Sequence, residues 1–373
     1  MARKRSLTRL LTAAALCCAA VTGTVPAASA AGDRGADPTS YRITWDDFRG
    51  GFSSSGPDAR WAFPTIGSFV TDDGRTSTSG DGLHLVSGGV NPATGEPAFT
   101  HTVGQENSDG SGLPGNLDHV KWLAFTNHTS SAGYQGFDAE PGRVLSCETW
   151  MSGRTYGTRA HPFGGRVTDP DDDLRLASVG MPVLDPETSM IFDFFVTNKR
   201  VYAFYERVPD NRATLGDYSA FTYAVPVAST AAGRQHHFKI SYDRSAGVVR
   251  WVLDGRVVFT VDRIGHRLPS RKYMMLDNGG TDMTAAPRQL SCGMGLFTIM
   301  DGGRPGTSDA SALIRLTNAP DHYYGPRVGA PTPQTFYDNA SAPGNRLFGQ
   351  GAGLDMSRYV VSSVPVAAAD ADH

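Results

Sequence analysis

The stretch that decides the fold is Gly233–Gly265, GRQHHFKISYDRSAGVVRWVLDGRVVFTVDRIG. Phe238, Ile240 and Tyr242 alternate with polar residues, and a turn-like Asp243–Gly247 follows. Val249, Trp251 and Leu253 then alternate with Arg250 and Asp254, and Val257, Phe259 and Val261 repeat the period. A period of two gives a strand one buried and one exposed face. Between the last two runs lies Asp254-Gly255, a pair suited to a type I′ turn, which needs positive φ at both central positions. The segment predicts a three-stranded antiparallel meander.

Working outward, similar runs recur along the chain. Tyr41, Ile43 and Trp45 alternate before Asp46-Asp47-Phe48, and Asp81-Gly82-Leu83-His84-Leu85-Val86 reads as a strand. Gly142–Met151, Met190–Val196, Val201–Val208, Lys272–Leu276, Gln289–Met300 and Leu347–Ser363 read likewise. Residues 87–142 and 301–345 are long irregular stretches, with Leu117–Asn127 the one strand-like or helical piece of the first. Such loops on a rigid scaffold often carry binding specificity. With 43 Gly and 23 Pro, the composition fits a turn-rich all-β protein.

The N-terminus reads as a secretory leader. Arg3, Lys4, Arg5 and Arg9 precede a short apolar run, Leu10–Val21, and Ala28-Ser29-Ala30 is a small-x-small signal that places cleavage after Ala30. Leu16 precedes Cys17, which argues against a lipid anchor. The organisation expected is a leader at 1–30, a disordered linker at 31–40, one domain over 41–365 and a disordered tail at 366–373. No other run is apolar and long enough to span a bilayer. Removing four basic residues with the leader leaves 30 basic against 37 acidic residues, and no basic cluster stands out, so no nucleic-acid partner is expected. A secreted monomer is the expectation.

Cys147 and Cys292 remain after cleavage, and in an oxidising compartment the pair is expected to form a disulfide. His101, His119, His128 and His161 show no metal-ligand spacing and read as ordinary loop histidines. Asp169-Pro-Asp171-Asp172-Asp173 could hold a structural calcium, but it lacks the spacing of a calcium loop and reads as an exposed acidic turn. No cofactor is expected: there is no phosphate-cradling loop or dinucleotide fingerprint, and no nucleophile elbow.

The strand–turn–strand pattern ending in W-x-x-D-G resembles the late-middle region of the concanavalin-like lectins and glucanases, as does the opening Asp47-Phe48, then Trp61, then D-G-L-x-L. The family-sixteen glycoside hydrolases of that superfamily carry a similar meander in the sheet opposite the sugar groove. Gly142–Met151 looks like their G-x-x-E-x-R-x-x-x-P strand. Met190–Val196 (MIFDFFV) lies where they carry E-x-D-x-E or E-x-D-x-x-E. The Asp47-Phe48 opening and Phe348-Gly349-Gln350-Gly351 also resemble uncharacterised secreted bacterial proteins of unknown function. The resemblance implies a single jelly-roll β-sandwich of two antiparallel sheets, concanavalin A-like.

It also exposes a departure. Alternate residues of a strand point the same way, so one strand can present nucleophile, helper and acid/base on one face, and a retaining mechanism needs two carboxyls about 5 Å apart. Asp193 matches the helper, but the nucleophile position is Ile191 and the acid/base position is Phe195, or Val196 with a bulge. Neither hydrocarbon can attack or protonate a sugar. Glu148 and Glu206 could supply relocated carboxylates if their strands neighbour Asp193. Trp150, Trp122 and Tyr202 are aromatic platform candidates. Glu148, Trp150, Asp193, Tyr202, Glu206 and Trp122 therefore form the expected carbohydrate-binding set, with no catalytic residue assigned. The favoured expectation is a non-catalytic binder of extracellular polysaccharide or cell-wall glycan. The alternatives are a hydrolase or lyase using Glu148, Asp193 and Glu206, and an envelope-associated structural protein without a sugar site.

Overall fold

The computed structural model describes residues 40–369. The leader read at 1–30 lies outside them, as do nearly all of the linker and the last four residues. The strands that build the molecule are β1 (Tyr41–Asp46), β2 (Gly74–Ser79), β3 (Gly82–Ser87), β4 (Val120–Thr126), β5 (Arg143–Tyr156), β6 (Ser178–Asp185), β7 (Met190–Val196) and β8 (Arg200–Arg207). They continue with β9 (Phe221–Ser229), β10 (His236–Asp243), β11 (Val248–Leu253), β12 (Arg256–Val261), β13 (Met274–Asp277), β14 (Gln289–Phe297) and β15 (Gly351–Pro365). They form a jelly-roll sandwich. One antiparallel sheet runs β12-β11-β10-β5-β15-β3-β2, with β1 also on β15. The other runs β13-β9-β8-β7-β6-β14-β4, edged by Trp61–Ala62.

The meander is β10-β11-β12, at one side of the first sheet, and Asp254 and Gly255 have φ of 50° and 76°. The closing strand β15 is the spine of that sheet. It pairs with β5 from end to end and shares its other side between β1 and β3. Where the sequence predicts a disordered tail, Val366–Ala369 make one helical turn, with Ala369 buried.

Alternation decides what lies between the sheets. Phe192 and Phe194 of β7 point inward against Trp251 and Phe238 of the first sheet, with ring centroids 5.9 and 5.1 Å apart. Leu145, Cys147 and Met151 of β5 join them, with Ile240, Tyr242, Tyr359, Cys292 and Met294. Polar tips in this layer bridge the sheets. The Trp251 indole donates to the Asp193 carbonyl (2.8 Å) and the Tyr359 hydroxyl to the Gly293 carbonyl (3.1 Å). A buried donor left without a partner would cost more than its hydrogen bond contributes.

Three of these strands are absent from the sequence reading, β2, β6 and β9, and the last two each contain a proline, which counts against a central strand. Their settings explain the tolerance. In β6 the ladder to β14 lapses at Met181-Pro182, and the N–H of Val183 goes to the carboxyl of Asp193 (3.1 Å). In β9, Pro226 lies beyond the three residues that pair with β13, beside a bulge at the Val201–Tyr202 register shift.

Cys147 and Cys292 form the expected disulfide, joining β5 of one sheet to β14 of the other across 145 residues, Cα–Cα 5.8 Å. Closing so long a loop restricts the unfolded chain. Reduction, or Cys147→Ser with Cys292→Ser, should lower unfolding free energy by about 2–4 kcal/mol. Denaturant melts with and without reductant measure this, and an unchanged midpoint would contradict it.

Candidate functional site

The outer face of the second sheet is set by the same alternation. With Phe192 and Phe194 inward, Ile191, Asp193 and Phe195 face out. Directly opposite Ile191 across the β7–β8 ladder is Glu206, next comes Thr222 on β9, then Leu276 on β13. Opposite Asp193 stand Phe204 and Ala224, and opposite Phe195 stand Tyr202 and Pro226. Directly opposed residues lie about 5 Å apart at Cβ. Glu206 therefore holds a carboxylate one strand over from the place where Ile191 has none.

Most of this face is covered. Phe195, Phe204, Tyr202, Phe297, Leu123 and Phe125 pack with Ile299, Tyr323 and Phe336 from the segment that follows β14. At the Glu206 end a small pocket stays open, lined by Asn116, His119, Glu206, Thr222, Asn278, Asp301 and His322 among others. The Thr222 hydroxyl donates to Glu206 Oε1. His119 ends the turn Gly115–His119 that leads into β4, and its Nε2 lies 2.5 Å from Asp301 Oδ1. The Tyr323 hydroxyl donates to Asp301 Oδ2 (2.7 Å).

The electrostatics follow from this crowding. Burial pushes the Glu206 carboxyl up to about 7, against the pull of Thr222 and the His119 charge. For His119, burial works against the charge, but Asp301 outweighs it and raises the imidazole above its ordinary value. His322, also in the wall, is lowered by burial. The pocket thus pairs a carboxyl poised near neutrality with an imidazole that favours its cation. Such pairs can move protons at pH 7. Among the described residues, no group of three or more His, Cys, Asp or Glu side chains is arranged to hold a metal.

The expected site residues are divided between faces. Asp193, Tyr202 and Glu206 share the outer face of the second sheet. Glu148 and Trp150 lie on β5, in the other sheet, so Glu148 cannot converge with Asp193 and Glu206. Its carboxylate accepts hydrogen bonds from Arg42 (2.7 Å) and His237 (2.8 Å). Trp150 lies between His237 stacked on it, centroids 4.2 Å apart, and the Arg358 guanidinium 3.8 Å from its ring centre, so it is no free platform. Trp122 is 1% exposed and packs among Phe52 and Phe63 in the core, because its β4 position points inward. Tyr202 is buried with its hydroxyl on Asp172 (2.8 Å). Asp193 is 3% exposed, and its carboxyl accepts the Val183 N–H left over beside Pro182. Burial, with Glu206 near, raises that carboxyl well above the usual range.

The acidic run at Asp169–Asp173 is not the exposed turn its composition predicts. Asp173 is buried against Arg175 (2.7 Å), while Asp172 takes Arg200 (2.9 Å) and Asp169 takes Lys199 (2.7 Å). Sequence reasoning missed His119, Thr222, Asp301 and His322. His119 and Asp301 meet across 182 residues, so no local spacing could have announced them.

The molecule is thus a jelly roll of two antiparallel sheets with a pocket lined by Glu206, His119 and Asp301 on the outer face of one of them. The chain belongs to the family of unknown function DUF6081, whose family model matches residues 45–365. A relative, uncharacterized protein L829 of Acanthamoeba polyphaga mimivirus, is 30% identical over 266 residues, covering 56% of this chain and 60% of its own length. The expected likeness to secreted bacterial proteins is thus met by a viral one. Among solved structures, the κ-carrageenase of Pseudoalteromonas carrageenovora is similar at 12% identity and TM-score 0.36, over 90% of this chain and 99% of its own. The family 7 alginate lyase A1-II′ is similar at 11% and 0.36 over 78% and 82%, and the Crh5 transglycosylase at 11% and 0.35 over 86% and 83%.

Two carboxyls should give the fold opposite pH responses. Glu148 is disfavoured as an anion by burial, but His237 and Arg42 pull it down to about 2. Its contribution is present above pH 4.5 and lost as pH falls towards 2, about 3 kcal/mol in all. Glu206, raised from 4.5 to about 7, favours the fold at acid pH and loses about 3 kcal/mol as pH climbs through that interval. Thermal melts should show Glu206→Gln gaining stability over the parent at pH 8 and none at pH 4. Glu148→Gln should lose stability at pH 7.

Proposed function

We propose that the protein binds a polysaccharide at the outer face of the second sheet and cleaves it by acid–base chemistry centred on Glu206. It would be a glycoside hydrolase or lyase with relocated carboxylates. The observation that carries this reading is the position of Glu206. It stands directly across from Ile191, where the resemblance to family-sixteen hydrolases puts the nucleophile, and its carboxyl is raised to about 7 beside the His119–Asp301 pair. Glu206 would give or take the proton at a sugar oxygen or carbon, oriented by Thr222. His119, held as a cation by Asp301, would donate to the oxygen on which negative charge develops, a role that preorganised donors fill well in a partly dry site. Asp193 supports the strand beneath. The covered middle of the face leaves a small pocket at the Glu206 end rather than an open groove. The leader read in the sequence and the inter-sheet disulfide support a location outside the cell. Among the described residues, no helix is long and apolar enough to cross a membrane.

A second reading, a structural protein without a sugar site, is favoured by the packing of Tyr323 and Phe336 over Phe204. The test is release of reducing ends, and separately of unsaturated uronate, from a panel of neutral and acidic polysaccharides. Turnover should show an ionisation near pH 7. Glu206→Gln should cut it by about 100-fold or more with an unchanged melt at pH 4, and His119→Ala by a comparable factor with a lowered melt there, because the His119–Asp301 pair is lost. Binding without turnover would restore the non-catalytic reading. Neither binding nor turnover would leave the structural one.

A further inference from the structure

A second cavity, of about 250 Å³, opens on the same face at the other end of β8, lined by Asp169, Asp172, Asp173, Arg200, Tyr202, Pro226, Lys272, Tyr273, Arg304 and Thr307 among others. Tyr202 and Glu206 are four residues apart, so the two openings are separated by about 13 Å of strand. Phe204 between them is buried.

The lining carries three carboxylates and three cations, and Lys199 and Arg175 pair with two of those carboxylates from beside it. Each of its three carboxylates already has a cation: Asp169 has Lys199, Asp172 has Arg200 and Asp173 has Arg175. Lys272 and Arg304 are left over. Among the described residues neither has a carboxylate within ion-pair distance, and the Lys272 ammonium instead sits 5.0 Å from the ring centre of Tyr273. The wall that carries them is firmly built. The Gly306 N–H donates to the Lys272 carbonyl (2.8 Å), Arg327 and the Thr307 hydroxyl donate to the Arg304 carbonyl, and a Cβ at Gly306 would meet the Tyr273 ring at 3.2 Å. Lys272 and Arg304 thus present their charges to the cavity beside a half-buried phenol ring held by that wall.

We infer that this cavity is a subsite for a negatively charged sugar, its carboxylate or sulfate held by Lys272 and Arg304 and its ring against Tyr273. The guanidinium fork suits a planar or tetrahedral oxyanion, the ammonium adds a second point charge, and an aromatic face takes the apolar side of a pyranose. The inference rests on the glycan reading for its sugar and names the class of that glycan as anionic.

The test is calorimetric titration of the mature chain with three probes of equal length: a galacturonate trisaccharide, a sulfated galactose trisaccharide and an uncharged xylose trisaccharide. Because the readout is equilibrium affinity, it stands or falls regardless of whether Glu206 supports turnover. At least one anionic probe should bind, tenfold or more tighter than the uncharged one, and weaken as salt rises. The tighter of the two identifies carboxylate or sulfate. Lys272→Ala with Arg304→Ala should weaken it at least tenfold, Lys272→Arg should retain it, and Tyr273→Ala should weaken all sugar binding while leaving competition by inorganic sulfate intact. Equal binding of charged and uncharged probes, no binding of either anion, or a double alanine variant that binds like the parent would overturn the inference.

Discussion

The orientation of one strand governs the chemistry of this protein. Phe192 and Phe194 are buried against Trp251 and Phe238, and that burial leaves β7 one way to face. Slipping it by one residue would drive two phenyl rings into the outer layer and Asp193 into the hydrocarbon between the sheets, because side chains alternate strictly along a strand. With the register fixed, Ile191 and Asp193 must look outward, and the ladder to β8 must set Glu206 beside Ile191. The carboxyl gains its raised proton affinity from a position chosen by the packing behind it.

The outer face is not a bare groove. The chain after β14 folds over it, bringing Ile299, Tyr323 and Phe336 onto Phe195 and Phe204, and the same cover brings Asp301 to His119. Cover and pocket are one construction. The Tyr323 hydroxyl, which would be stranded in an apolar plug, is satisfied by Asp301, whose other oxygen faces the imidazole. What closes the middle of the face therefore also supplies two polar members of the opening at its end.

Much of the architecture was legible in the sequence, and the limits have physical causes. The meander was readable because each strand alternates cleanly and Asp254-Gly255 joins two of them with the φ values that pair allows. β6 and β9 were not, because Pro182 and Pro226 break the rule for interior strands, and only tertiary partners (an Asp carboxyl, a bulge at a free edge) make them tolerable. Glu206 could be nominated from its strand, but not its companions: His119 looked like any loop histidine, and Asp301 followed an unremarkable strand. Trp150 and Trp122 were misjudged for the same reason. A tryptophan on a strand does not reveal whether its faces are open, and here one is clasped by His237 and Arg358 and the other lies in the core.

The covalent link between Cys147 and Cys292 ties the interiors of β5 and β14, each an inner strand of its own sheet. The two halves of the molecule cannot part like the covers of a book, since the stitch runs through the middle of the pages. Any motion that admits a guest must then belong to the flaps laid over the outside.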